Sequence, residues 1–145
     1  MAITQTETTS FKVSLLNGEM DFSSDTTHVF KIALYTNVAN LDATTTVYSA
    51  TNEVASGAGY TSGGKTLTIA QNPTSTSTIA WMDFDDPIWS AATITARGAL
   101  IYKFDGVTNP SVCVLDFGAD KATIGGDFEV NFPIANSSTA IIKLT

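Results

Sequence analysis

Apolar and polar residues alternate along short segments of this chain, and turn-forming residues separate the segments. The clearest alternation lies in residues 28–36, where Phe30, Ile32 and Leu34 would share one face. A period of two residues places successive side chains on opposite faces of a β-strand. Similar patterns predict further strands at residues 47–54, 65–70, 78–84, 93–104, 111–117, 127–132 and 140–144.

One stretch near the start has helical spacing instead. Ser10 is a favourable N-cap, apolar residues recur from Phe11 to Leu16, and Asn17-Gly18 is a helix stop. These features predict a short helix over residues 10–17, with a strand as the alternative.

Turn signals separate the predicted strands and define the fold class. They lie at residues 25–27, 57–64, 72–73, 85–87 and 105–110. About eight short strands at this spacing predict an all-β chain, an antiparallel β-sandwich that is jelly-roll-like, with one short N-terminal helix. Since no linker divides the chain, we expect a polar N-terminal arm at residues 1–9 and a single β-sandwich domain at residues 10–145.

The charge of the chain limits the classes of molecule that it is expected to bind. The formal net charge is −7, and the seven Lys and Arg residues are scattered. We therefore expect no direct contact with nucleic acid or with anionic membranes. The N-terminus has no leader pattern and no apolar run is long enough to span a bilayer, so we expect synthesis in the cytoplasm. The single cysteine, Cys113, excludes an intramolecular disulfide and is expected to be a small buried hydrophobe.

Charge is unusually scarce in the middle of the chain. Charged residues make up 14% of the whole chain, against about 25% in an average domain. From residue 43 to residue 82 only Glu53 and Lys65 are charged. This 40-residue region is either a solvated face rich in Thr and Ser or a surface that lies against another protein, where charges are depleted.

One segment matches a phosphate-binding motif. Residues 59–66 fit Gly, four residues, then Gly-Lys-Thr, and Asp116 ends an apolar run as a magnesium-binding Asp would. A phosphate loop, however, needs a buried strand before it and a helix after it. Residues 52–56 are not such a strand and residues 67–69 have strand character, so we interpret the motif as a glycine-rich β-turn.

Other candidate sites are also weak. His28 is the only histidine, so a catalytic triad or a histidine metal site would depend on it alone, and no second histidine or cysteine can join it in a zinc site. Asn136-Ser137-Ser138 matches the glycosylation triplet, which carries no meaning without secretion. We expect no catalytic residue, no metal and no cofactor, and we expect that the chain is not an enzyme.

An acidic cluster lies between the two tryptophans. Asp83, Asp85 and Asp86 could hold calcium or act on sugars, and Trp81 and Trp89 flank them. No calcium-loop spacing is present, so a solvated turn and packed tryptophans are the favoured interpretation. A carbohydrate-binding module stays an alternative, and it would need a solvent-facing aromatic platform formed by Trp81, Trp89 and Tyr60.

Several segments together resemble a known family, the small structural virion proteins of tailed bacteriophages. The segments are Ser10–Gly18, Phe30–Thr36, Thr51–Val54, Gly59–Gly64, Asp83–Trp89, Ala92–Tyr102 and Val114–Gly118. The resemblance runs from about residue 10 to the end and brings no catalytic residues with it.

The resemblance implies a place in the virion. The function it favours is that of a capsid decoration (cement) protein, which sits on the outer shell and stabilises the head, commonly as a homotrimer. The implied partners are the major capsid protein and sister copies, and the implied location is the capsid surface. A tail, fibre or neck component is the alternative within the virion, although the chain lacks the elongated repeats of a fibre.

Overall fold

The computed structural model describes residues 2–145. This part of the chain contains two antiparallel β-sheets and one short helix. In chain order the elements are β1 (Thr6–Glu7), α1 (Thr9–Leu16), β2 (Val29–Tyr35), β3 (Lys65–Thr66), β4 (Ile69–Thr76), β5 (Ile79–Phe84), β6 (Ile88–Phe104), β7 (Ser111–Glu129) and β8 (Ile142–Leu144). The predicted all-β sandwich with about eight strands and one short helix is confirmed.

The larger sheet has five strands in the order β1-β7-β6-β2-β3, and the smaller has three in the order β4-β5-β8. Every pairing of named strands is antiparallel. The β4–β5 and β6–β7 pairs are adjacent in sequence, so each sheet is built around one hairpin. The edges of the larger sheet are the two-residue strands β1 and β3.

The main core lies between the two sheets. Phe30, Ile32 and Leu34 are buried in it, which confirms that they share one face. The rings of Phe22 and Phe30 stack with centroids 4.5 Å apart, and Phe84 of the smaller sheet lies 5.8 Å from Phe30. Aromatic packing of this kind supplies stabilisation beyond the area buried.

The larger sheet is buried on its other face as well. Ala33, Tyr35, Leu100, Tyr102 and Val114 form a second core there. Residues of β7 from 111 to 115 are therefore buried on both faces.

The predicted N-terminal arm is wrong for residues 2–8, while Met1 lies outside the described residues. Thr6 and Glu7 pair with Val114 and Cys113 as strand β1. Ile3 is buried in the second core, because it is the one large apolar side chain in an otherwise polar segment. The segment is an edge strand of the domain rather than a free arm.

The helix is confirmed, but it starts one residue earlier than predicted and has a different cap. The N-cap is Thr8, whose Oγ1 accepts a hydrogen bond from the Phe11 N–H at 3.3 Å. Ser10, the predicted N-cap, lies inside the helix. Thr8 is the better placed residue because the β1 pairing fixes the extended conformation that an N-cap requires.

Two strand predictions and one turn prediction are corrected by the structure. Residues 47–54 make only isolated bridges, Val47 with Pro110 and Glu53 with Tyr35. The predicted turn at Asn72-Pro73 lies inside β4, where a shift in register accommodates a proline on an edge strand. The separate segments 111–117 and 127–132 are largely one long strand, β7, which is interrupted by bulges.

Candidate interaction surface

The charge-poor region has two parts with different structures. Residues 43–64, which we call the strap, have no regular secondary structure. Tyr48 packs against the second core, while Val54 and Tyr60 lie at the β2 edge and reach the main core. Residues 69–82, which we call the hairpin, form β4 and most of β5 in the smaller sheet. Most side chains in both parts are exposed, so the region contributes a neutral surface to an acidic protein.

The strap is attached to the sheet by backbone and tyrosine hydrogen bonds. The Val54 N–H donates to the Leu34 carbonyl at 2.9 Å. The Tyr35 hydroxyl donates to the Ser49 carbonyl, and the Tyr102 hydroxyl donates to the Gly63 carbonyl, each at 2.6 Å. Burial raises the pKa of both of these tyrosines, so they stay protonated donors.

Glu53 is the centre of the strap. Its carboxylate is buried and accepts four hydrogen bonds within 2.6–2.8 Å, from the hydroxyls of Tyr48, Tyr60 and Ser62 and from the N–H of Gly63. Four short donors satisfy the lone pairs of a buried carboxylate without a cation. Tyr60 also accepts from the Leu34 N–H at 2.9 Å, so the cluster is tied to β2.

Lys65, the other charge in the region, is also engaged. Its ammonium donates to the Ile88 carbonyl and lies 5.8 Å from the ring centroid of Trp89. Since Glu53 is buried, the exposed surface of the strap and the hairpin carries no charge. Sequence reasoning had not assigned roles to these two residues, although their isolation in a neutral region was the available signal.

The phosphate-binding motif has the geometry of a turn. The Gly63 N–H donates to the Glu53 carboxylate at 2.8 Å, so it is not free to bind a phosphate oxygen. The Gly64 backbone has a φ of +74°, and a β-carbon there would lie 1.8 Å from the Ile32 carbonyl oxygen. Strand β3 follows rather than a helix, and Asp116 pairs with Arg97 at 3.2 Å.

The other candidate site residues, His28 and Cys113, make contacts within the fold. The Nδ1 of His28 accepts a hydrogen bond from the Asp21 N–H at 3.1 Å, just before β2 begins. Cys113 is buried in β7, as predicted, and burial raises the pKa of its thiol to about 12. Within residues 2–145, no group of three or more His, Cys, Asp and Glu side chains could hold a metal ion.

The acidic cluster is divided among three environments. Asp83 is buried, and this burial raises the pKa of its carboxyl. Asp86 accepts a hydrogen bond from the Phe132 N–H at 2.8 Å, and Asp85 is exposed. The three carboxylates therefore do not act as one site.

The aromatic platform of a carbohydrate-binding module is not formed. Trp89 and Tyr60 are 5% and 2% exposed and belong to the main core, whereas Trp81 is only partly buried. Trp81 lies on β5, where its Nε1 donates to the Thr76 hydroxyl across the hairpin at 3.3 Å. The interpretation of Trp89 as a packing residue agrees with its burial.

An open groove of about 570 Å³ lies beside β7. Its lining includes the aromatic residues Phe117, Phe128 and Phe132 and the acidic residues Asp127 and Glu129. The groove is apart from the neutral surface. Its Phe128 is part of the core, and the Asp127 carboxylate accepts from the Ala91 N–H at 3.2 Å.

Comparison with known proteins identifies no relative, since no family model, no curated protein and no solved structure matches the chain. Within residues 2–145 there is no helix of the length and apolar character needed to cross a membrane. The surface features of the fold are therefore the basis for a functional proposal.

Proposed function

We propose that this chain is a bacteriophage structural protein, a capsid decoration protein that binds the outer shell and stabilises the head. The observation that carries the proposal is the neutral surface of the strap, on a chain with a net charge of −7. Charged residues are depleted at the centres of protein interfaces because each one must be desolvated. A neutral face on an acidic protein is therefore a surface suited to another protein.

The hydrogen bonds that hold the strap in place support a binding role for it. A segment without regular structure would normally lose conformational entropy when it docks. The Glu53 cluster and the tyrosine hydrogen bonds hold the strap in place before contact. Preorganisation of this kind increases affinity without adding contacts.

The proposed mechanism is adhesion by many copies. Each copy contacts the major capsid protein through Thr, Ser and Val side chains of the strap, such as the exposed Val47. Individual contacts of this kind are weak, but a shell presents many equivalent sites, and linked contacts must open together. The head then resists internal pressure because the force is distributed over many interfaces.

The test uses particles of the phage that encodes this chain, prepared without the protein. Purified protein is added, and binding and the temperature of heat-induced DNA release are measured. We expect saturable binding to the head at a copy number set by the shell symmetry, with a higher release temperature. No binding would contradict the proposal, and binding to the tail or neck alone would support the alternative location.

A matched pair of variants locates the contact. Val47→Asp puts a charge on the strap, and Ile124→Asp puts the same charge on an exposed residue of β7 outside the neutral region. We expect Val47→Asp to weaken particle binding by about tenfold or more, since burying an unpaired charge costs over a kcal/mol. Ile124→Asp should bind like the unmodified protein, and equal losses in both variants would contradict the assignment to the strap.

A further inference from the structure

Strand β4, which runs from Ile69 to Thr76, is a free edge of the smaller sheet and pairs with β5 on one side only. The other free edges differ from it: β1 and β3 have two residues each, and β8 has three, including Lys143. The β1 side of β7 is paired only at Cys113 and Val114, and its longer unpaired part, which extends to Glu129, carries several charged residues. Antiparallel pairing leaves alternate residues of an edge strand with their N–H and C=O groups pointing outward, where another strand can bind them.

The β4 edge lacks the side-chain charges that commonly block such pairing. All seven residues from 72 to 78 are exposed, and none is charged. Natural edges are often protected by lysines, prolines or bulges. Here Pro73 and the register shifts of β4 lie between Ile69 and Thr74, so Thr74–Thr76 is regular and unprotected.

The net charge of the chain favours a second copy as the partner that pairs with this edge. Two copies of a chain with a net charge of −7 repel each other across most of their surfaces. The hairpin is a place where the copies can approach without opposing like charges. A two-fold pair also brings each residue of one strand opposite a residue of the same strand, and an uncharged Thr/Ser strand is compatible with itself.

The hairpin borders a groove of about 390 Å³. Pro73 is the one β4 residue in its lining, which also includes Leu15, Ala80 and Leu144 and the charged Asp21 and Lys143. Ala80 is the β5 partner of Ser75, so the groove lies beside the strand that supports the regular segment of β4.

From these observations we infer that β4 pairs with β4 of a second copy, antiparallel and centred near Ser75, and joins two three-stranded sheets into one of six strands. This pair is a two-fold dimer, in contrast to the trimer that the family resemblance implies. The inference does not depend on the shell-binding role, which we assign to the strap.

The first experiment measures the mass of the chain by sedimentation over a range of concentrations. We expect a reversible dimer in the unmodified protein. Thr74→Lys places two like charges near the two-fold axis, and we expect it to shift the dimer dissociation constant by about tenfold or more toward monomer. Thr51→Lys adds the same charge at an exposed residue of the strap, and its dimer should be unchanged.

The second experiment traps the pair covalently. Ser75→Cys adds an exposed thiol, and mild oxidation should join the two copies, since Cα atoms in antiparallel pairs lie about 5.5 Å apart, within disulfide range. The native Cys113 is buried and should not react. Thr51→Cys, oxidised in the same way, should remain uncrosslinked.

Several results would overturn the inference: a chain that stays monomeric at every concentration, a trimer, a dimer that Thr74→Lys leaves intact, or Ser75→Cys that crosslinks no better than Thr51→Cys. If Thr74→Lys is monomeric yet still binds phage heads, the pairing and the shell-binding role are separated. A chain that dimerises through β4 but never binds heads would leave the pairing standing and contradict only the proposed function.

Discussion

The strap and the hairpin have the same neutral composition, yet they are held in place in different ways. The strap has no regular strand, and it is held by a buried carboxylate with four donors and by tyrosine hydroxyls of the sheet. The hairpin is regular, but β4 is supported on one side only, by its ladder with β5. A neutral surface can therefore be held in place by internal polar contacts, as in the strap, or lie along an unpaired sheet edge, as in the hairpin.

This difference separates two kinds of binding. A preorganised strap can meet a fixed partner with little loss of entropy. A free edge offers backbone groups, and these favour another strand over a shaped surface. The predictions that follow should be large where they remove the support of the strap and small where they alter the exposed hairpin.

The largest effect is expected for Glu53→Ala. This substitution leaves the hydroxyls of Tyr48, Tyr60 and Ser62 and the Gly63 N–H without their acceptor. Unsatisfied donors at a buried site should lower the free energy of unfolding by about 3 kcal/mol. Chemical denaturation measures it. Glu53→Gln, which keeps an acceptor, should lose less, and equal losses in both variants would contradict the role of the carboxylate.

A smaller effect is expected for Tyr60→Phe. The hydroxyl bridges Glu53 and the Leu34 N–H, while the ring packs in the core and is kept. Loss of the bridge should lower the free energy of unfolding by about 1.5 kcal/mol. Hydrogen exchange should also become faster at the Leu34 amide. If the Leu34 amide exchanges at its original rate, Tyr60 does not anchor the strap to β2.

Asp83 directly follows the hairpin, and its substitution should raise the free energy of unfolding by an amount that depends on pH. Burial raises the pKa of its carboxyl above the usual 3.8, and the charges of Asp86 and Asp85 raise it further. The native state therefore loses stability as pH rises through the raised pKa. Asp83→Asn should be more stable than the unmodified protein at pH 7, and the difference should vanish below pH 3.8. Thermal unfolding at several pH values measures it, and a difference that persists at low pH would exclude a charge effect.

The smallest effect is expected for Thr74→Ala on the free edge. Thr74 is exposed and no neighbour depends on its side chain for a hydrogen bond within residues 2–145. The free energy of unfolding should change by less than about 0.5 kcal/mol. A loss above 1 kcal/mol in dilute solution would show that the hairpin contributes more to the monomer than its exposure indicates.

Local patterns were sufficient to predict the strands that alternate regularly. Strand β2 alternates between two buried faces, and the structure confirms the face of Phe30, Ile32 and Leu34. The length of β7 was not predictable, since bulges interrupt the alternation beyond Asp116. The turn predicted at Asn72-Pro73 failed for a related reason, because the tolerance of an edge strand for proline depends on its place in the sheet.

The support of the strap was beyond sequence reasoning for a different reason. The donors to Glu53 come from residue 48 and from residues 60, 62 and 63 of the glycine-rich turn, and no motif connects that turn to Glu53. The sequence did contain a signal, because Glu53 is one of two charges in 40 residues. A carboxylate kept in a neutral segment indicates a buried partner, but only the structure identifies the partners.

Hydrogen exchange of the chain, free in dilute solution and bound to phage heads, reports which surface of the molecule contacts the head. We predict that binding slows exchange in the strap at residues 43–64. The acidic groove near Asp127 should exchange at the same rate in both states. Protection confined to that groove, or no new protection in the strap, would contradict the assignment of the neutral surface to binding.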